Sequence, residues 1–435
     1  MPKDIVSLAL CCCFCMFVVP IASSSASTLE ETLRYAYSDS PLLKAEWESF
    51  RATQEKVPQA YSEFLPSIEG RADYAVSDVT SDLPFIRGSE RRKPRKGELV
   101  ITQEIFNGFA SVAKVRQAYA LEQQAMAVLE STRQDVLLRS ASAFFAIVRD
   151  KQLTEIARKS EAFFIEQLKS TEDRFQVGEV TFTDVAQAKA RLAQAHAETV
   201  RSQGNYAIAQ AQYRDIVGQA PPDNPITSKF TFSLPKTLEK SIDVARTNHP
   251  LLQNARYGEY AARYRVHNAI GQLLPSLKLE GRGSRSFDTF SRGSKSESVE
   301  VKALLTVPLW QGGAALSFLQ EFKYDHAKTK HLLTQEQRTV DQRVASAWQN
   351  LEAIKAQIVS YKSQVQANRI AAQGVREEAT LGDRTVLDVL DAENELFQSL
   401  KQLAQAEYDF REAVFQLLNA MGALTLDHIG ITDTQ

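Results

Sequence analysis

The sequence predicts a mainly helical fold that carries a small membrane-type β portion and is built as two copies of one unit. Three observations predict it: an internal repeat, two proline-free stretches of helical composition, and four segments that alternate apolar with polar residues. The repeat is direct. Leu29 to Pro41 reads LEETLRYAYSDSP and Leu238 to Pro250 reads LEKSIDVARTNHP, at an offset of 209 that also carries Leu65-Pro66-Ser67 onto Leu274-Pro275-Ser276. Further along the offset is 204, mapping Phe106-Asn107-Gly108 onto Trp310-Gln311-Gly312, Gly178 onto Gly382, Asp184-Val185 onto Asp388-Val389 and Gly218 onto Gly422. A shorter loop between strand and junction in the second copy accounts for the change, and such long-period self-similarity defines the architecture before any motif does.

The elements follow in chain order. The apolar stretch Ile5 to Ile21 holds all four cysteines, Cys11, Cys12, Cys13 and Cys15, between Lys3 and the small residues Ala22 to Ala26. That is the layout of a signal peptide over residues 1–26, cleaved after Ser24 or Ala26. The mature chain would then hold no cysteine, so neither disulfides nor thiolate metal sites are expected. Leu10 is too bulky to precede a lipidated cysteine, and so short a segment with a proline makes a poor spanning helix. A first repeat is expected over 27–218, a proline-rich linker over 219–236, a second repeat over 237–422 and a tail over 423–435.

Within the first repeat, Ile68, Gly70, Ala72, Tyr74 and Val76 alternate with Ser67, Glu69, Arg71, Asp73 and Ser77, while Glu98 to Phe106 alternates less cleanly. In the second, Leu277, Leu279, Gly281 and Gly283 oppose Lys278, Glu280 and Arg282, and Val299 to Val307 opposes Ser298, Glu300, Lys302 and Thr306. Period two with one apolar and one charged face describes a sheet between oil and water. Segments of about ten residues suit a tilted transmembrane strand. Four strands cannot close, and open edges do not persist in lipid, so a membrane role requires several chains to pool their strands. A soluble four-stranded sheet with one wet face is the alternative. The loop Asp78 to Lys96, with Arg87, Arg91, Arg92, Lys93, Arg95 and Lys96, reads as a solvated loop or one touching anionic headgroups.

Residues 95 to 220 and 309 to 435 contain no proline and are rich in Ala, Gln, Glu, Leu, Arg and Lys, the composition of long helices. Val112, Val115, Tyr119, Met126, Leu129, Leu137, Phe144 and Ile147 recur as one apolar stripe. Gly178 and Gly382 lie in turn-like stretches, Val177 to Thr183 and Leu381 to Thr385, where the chain should reverse. Each half is thus a helical hairpin whose first arm, Phe109 to Val177 in the first copy, would extend about 100 Å.

Composition narrows the function. Lysine plus arginine total 51 against 53 acidic residues, a net charge of −2, so nonspecific nucleic-acid binding is disfavoured. The six histidines are scattered, and no HExxH, P-loop or GxSxG motif occurs. No catalytic, cofactor or metal site is therefore expected.

The chain resembles the TolC family of outer-membrane export ducts over essentially the whole mature sequence. The resemblance rests on ETLRYAYSDSP and KSIDVARTNHP, the two Leu-Pro-Ser strand starts, EIFNGF and VPLWQGG at the strand-to-helix junctions, and FQVGEVTFTDVAQAKARL and LGDRTVLDVLDAENEL at the hairpin tips. It implies a homotrimer with a twelve-stranded barrel in the outer membrane, continued by a twelve-helix α-barrel through the periplasm. Leu42 to Phe64 and Leu251 to Leu273 would be shorter helices stacked end to end with the return arms. Pro58, whose counterpart is His267, should kink the first of them. The proline-rich linker would lie in a belt around the cylinder.

The same resemblance implies an exit duct for a tripartite efflux or type I secretion system, with a periplasmic adaptor and an inner-membrane transporter as partners and no cofactor. Asp388 and Asp391 would form the pore constriction, where like charges crowd and some carboxyls are held protonated. Arg384 would tie the second hairpin to the first at Thr183 and Asp184, Gly178 and Gly382 would mark the adaptor-docking tips, and Ala379 replaces a family tyrosine of the closed gate. Phe106, Gly108, Trp310, Gly312 and Gly313 would form the strand-to-helix junctions, with the two aromatics at the membrane–water interface. Read without the resemblance, the aspartates are a solvated helix face, Arg384 a helix-end charge and the aromatics ordinary packing. The rival reading of the whole chain is a coiled-coil scaffold or adhesin without a pore.

Overall fold

The structure, a computed structural model, describes residues 28–83, 86–222, 225 and 234–426. The signal-peptide segment with its cysteines, most of the proline-rich linker and the end of the tail lie outside the described residues. The first half runs α1 (Leu29–Asp39), α2 (Pro41–Gln54), α3 (Lys56–Tyr61), β1 (Ser67–Tyr74), β2 (Ser77–Leu83), β3 (Ile86–Arg92), β4 (Arg95–Asn107), α4 (Ala110–Gln176) and α5 (Phe182–Val217). The second runs α6 (Leu238–Asn248), α7 (Pro250–Gly271), β5 (Ser276–Phe287), β6 (Lys295–Thr306), α8 (Ala314–Leu381) and α9 (Val386–Ala420). The mainly helical class is as the sequence predicts.

Helix starts are written locally. Thr28 and Glu31 form a capping box on α1, and Ser40 caps α2 ahead of Pro41 at its first turn. At the equivalent position His249 Nδ1 accepts the Leu251 amide at 3.2 Å ahead of Pro250. Helix α2 ends at Gln54 because Pro58 has no amide to bond that carbonyl, whereas α7, with His267 at the matching position, continues for 22 residues.

The first arms, α4 and α8, have 67 and 68 residues, each about 100 Å long. Each pairs with its return arm, α5 or α9, near the tip, and with the short helices near the sheet. The main core lies between these regions. There Leu29, Leu33, Phe144, Ile147, Tyr213, Leu252, Phe415 and Leu417 are buried, and Thr32 and Tyr213 share a buried hydroxyl hydrogen bond of 3.0 Å.

The apolar stripe expected along α4 divides. Val115, Leu129, Leu137, Phe144 and Ile147 are buried, but Val112, Tyr119 and Met126 are exposed. Those three recur at steps of seven and lie on another face, because α4 packs on two sides, against α2–α3 and against α7.

The main sheet has the order β1-β4-β5-β6, antiparallel throughout. One face carries the cross-strand rows Ile68-Ile101-Gly281-Val301 and Gly70-Leu99-Gly283-Val299, and it is open, with Val299 89% and Val301 73% exposed. The other carries Ser67-Thr102-Glu280-Lys302, Glu69-Val100-Arg282-Glu300 and Arg71-Glu98-Ser284-Ser298. It is laced by ion pairs, Arg282 to Glu98 at 2.8 Å and to Glu280 at 2.7 Å. Neither β1 nor β6 has a partner on its outer edge among the described residues.

In place of the loop expected over Asp78 to Lys96, Ser77–Leu83 and Ile86–Arg92 form a second antiparallel pair, β2–β3, beyond the main sheet, and Arg95 and Lys96 already belong to β4. Its register sets Asp78 opposite Arg91 and Asp82 opposite Arg87. Described strands therefore number six, four of them in the main sheet.

Candidate functional site

The tips are built alike in both hairpins. At the end of α4, Gly178 adopts φ 82° while the Glu179 amide donates to Arg174 O at 3.0 Å; at the end of α8, Gly382 adopts φ 90° while the Asp383 amide donates to Glu378 O at 3.1 Å. These are left-handed helix ends that only glycine enters without strain. Three residues later each return arm opens on a capping box, Thr181 with Asp184 and Thr385 with Asp388. The first turn therefore closes at Thr181, two residues before the expected end at Thr183, because that threonine caps α5.

This geometry assigns Asp388 a local task. Its carboxylate accepts the Thr385 amide at 2.9 Å and the Thr385 hydroxyl at 2.8 Å. The amide bond, the hydroxyl and nearby Arg384 hold its pKa below the usual carboxylate value. Asp391, one turn on, reaches the first hairpin, where Arg191 Nη2 donates to it at 2.6 Å. Arg384 Nε donates to Glu378 at 2.8 Å within its own turn. Thr183 is exposed, and Asp184 accepts from Thr181. Within one chain, the described contacts do not join Arg384 to Thr183 or Asp184.

Other residues join the two hairpins. Phe164 on α4, Ala188 and Ala195 on α5, and Val386 and Leu390 on α9 form a buried apolar cluster near the tips. Phe397 adds ring contacts to Phe163 and Phe164 at 6.2 and 6.5 Å. Lys401 bonds Glu198, whose carboxyl is raised by burial but lowered further by Arg201 and Lys401. Buried Glu393 pairs with Arg376 at 2.7 Å, and burial pushes its pKa up against that cation. Sequence reasoning missed Arg191, Lys401 and Glu198. Across the repeat Arg191 aligns with Glu395 and Asp391 with Gln187, so comparing the copies contains no trace of this pairing.

At the junctions, Gly108 has φ 65° and packs so tightly on α7 that a Cβ there would lie 2.3 Å from Gly271 O. Phe109 follows at φ 66°, its ring edge-on to Phe106 at 5.3 Å, where the second copy has Gly313. Trp310 and Leu309 are 79% and 90% exposed, and a Cβ added at Gly312 would meet none of the described residues within 4 Å.

No group of three or more metal-ligating side chains occurs among the described residues, and no described helix is long and apolar enough to cross a membrane. The main sheet keeps one apolar face bare.

Comparison with known proteins agrees. The chain is 29% identical over 415 residues to the outer membrane efflux protein BepC of Brucella suis, covering 94% of this chain and 88% of that protein. It is 26% identical over 420 residues to the outer membrane protein TolC of Escherichia coli, covering 92% and 83%. Among solved structures, the outer-membrane channel OprN superposes with a TM-score of 0.81 at 19% identity over 91% and 90% of the two chains. VceC of Vibrio cholerae superposes with 0.80 at 19% identity over 91% and 96%. Those two similarities concern the fold. The scaffold or adhesin reading finds no support among these relatives. The family profile described as outer membrane efflux protein matches residues 32–219 and 241–423, most of both repeats, and the chain therefore belongs to the outer membrane efflux protein family.

Proposed function

We propose that three copies close into one barrel and one helical cylinder, forming a passive duct that receives cargo from an inner-membrane transporter through a periplasmic adaptor. The observation that carries this is a sheet with a bare apolar face and two unpaired edges, continuous with helical arms about 100 Å long. Unpaired edges cannot remain in lipid, and β6 of one copy runs antiparallel to β1 of the next. Two copies would give a barrel of about eight strands, whose interior side chains fill. Three leave a lumen for the charged inner face.

The repeat also supports where the copies meet. In α8 no residue from Ala314 to Thr339 is buried, although the matching part of α4 buries nine. Within the chain α7 covers α4, with Asn268 Nδ2 donating to Ala110 O at 3.0 Å. The offsets turn that pair into Gln59 of a neighbouring copy and Ala314, and turn the Gly108–Gly271 contact into Gly312 and Ser62 of that copy. Helices α2–α3 of the neighbour thus fit the bare side of α8.

At the tips, Asp388 and Asp391 from three chains would place six carboxylates around the periplasmic opening, favouring cations. The closed tip is held by the apolar cluster and the Arg191–Asp391 pair, with Arg384 reaching Thr183 or Asp184 of a neighbour. An adaptor seated on the turns at Gly178 and Gly382 would pull the second hairpin outward. Relatives named for protease secretion, AprF and PrtF, stand beside those named for efflux, so the same duct suits either cargo. The test is the mass and shape of the detergent-extracted particle. A trimer with a hollow stalk is expected; a monomer or dimer released without detergent would overturn the duct.

A further inference from the structure

The lipid-facing rows of the sheet end in a set of cations. From Leu277 to Phe287 the outward face rises through ten residues, about 33 Å along the strand and about 25 Å along the normal at barrel tilt, the height of an outer-membrane apolar band. Its lower limit is the row Phe106-Leu277-Leu305 and its upper limit the row Tyr74-Arg95-Phe287-Lys295. That upper row shares its face with Ile68, Ile101 and Val301, not with the charged lumen. Three cations surround the Phe287 ring there, Arg95 at 5.7 Å, Arg285 at 5.3 Å and Lys295 at 5.9 Å. Glu297 neutralises Arg285 at 3.0 Å. Arg95 and Lys295 have no carboxylate partner among the described residues, and both are exposed.

The turn above this row is held in place. The β2–β3 pair is tied over the turn between β5 and β6, where Arg92 donates to the Thr289 and Phe290 carbonyls and Glu90 accepts the Arg292 amide at 3.2 Å. Phe290 is exposed beside them. An aromatic ring flanked by two cations without counter-ions, one row beyond the mutually neutralised Arg285–Glu297 pair that tops the apolar rows, complements a phosphate carried on acyl chains.

We propose that Arg95, Lys295 and Phe287 form a site for the phosphate headgroup of an outer-leaflet lipid. In a closed barrel Tyr74 of the neighbour completes the row beside Lys295, so the site recurs once per chain. The inference rests on the sheet being a barrel wall, and the particle-mass measurement above tests that separately.

The experiment uses the full chain purified in detergent, incubated with diphosphoryl lipid A and separated by gel filtration, with retained lipid quantified by mass spectrometry. Saturable retention is expected, weakened at least about tenfold in Arg95→Gln combined with Lys295→Gln. The variant must elute as the same particle as the parent. A second pair, Arg95→Lys with Lys295→Arg, keeps both charges and should retain the lipid. Equal retention by parent and Gln variant would overturn the site, as would equal retention of dephosphorylated lipid, which needs only the apolar wall. Inorganic phosphate that binds the parent as tightly as the lipid does would overturn the lipid assignment in favour of a free-anion site.

Discussion

Gly108 shows how much a single position fixes. An added methyl group meets Gly271 O at 2.3 Å in a backbone already at φ 65°, and neither carbonyl nor helix can yield locally. Gly108→Ala should cost about 3 kcal/mol or more, read as a lower melting temperature of the purified particle. Phe109→Gly should be nearly neutral by the same measurement, since relief of a left-handed phenylalanine offsets the lost ring contact. His249 gives a pH prediction. Burial, then the charge of Arg343, lowers its pKa to about 4. The unfolded chain therefore takes up a proton near pH 6.5 that the folded chain refuses until about pH 4. Stability present above pH 6.5 should fall across that window, by up to roughly 3 kcal/mol. His249→Asn, which keeps an acceptor for the Leu251 amide, should flatten the melting-temperature profile between those limits; an unchanged profile would assign the slope to other groups.

Between elements, the predictions concern the tips. Arg191→Gln and Asp391→Asn, singly and together, form a cycle whose coupling should be about 0.5–1 kcal/mol, because the pair is partly exposed. Amide exchange at the start of α9 reads it, and single-channel conductance of each variant should rise if the pair holds the tip closed. Asp388→Asn with Asp391→Asn should lower cation selectivity and weaken block by multivalent cations; unchanged selectivity and block would remove both from the constriction. Asp388 also acts locally. Its lowered pKa means that the cap on α9 persists as pH falls below the usual carboxylate range and is lost only when pH passes the folded value. The arms and the four strands of the main sheet were legible in the sequence, since period and the absence of proline report them directly. The β2–β3 pair was not, because Pro84, Pro94 and dense charge resemble a loop, and only the alignment of Asp78 with Arg91 betrays the pairing. The Arg191–Asp391 bond was illegible for another reason: it joins residues 200 positions apart, and the two copies do not repeat it.

For the whole molecule, the bare side of α8 gives the decisive test. Tyr324 is 67% exposed in one chain, while its counterpart Ala120 is buried. Tyr324→Asp should shift the detergent-extracted particle from trimer toward monomer in light scattering, whereas Tyr324→Phe should not. Equal trimer content in both would move the contact off this face. The two open edges of the sheet bear finally on biogenesis. In the proposed trimer a single chain has no stable place in a bilayer, so its insertion would wait for encounter with its siblings. Its rate should climb faster than linearly with chain supply. At low supply, chains would linger in the periplasm as substrates for holding chaperones and proteases.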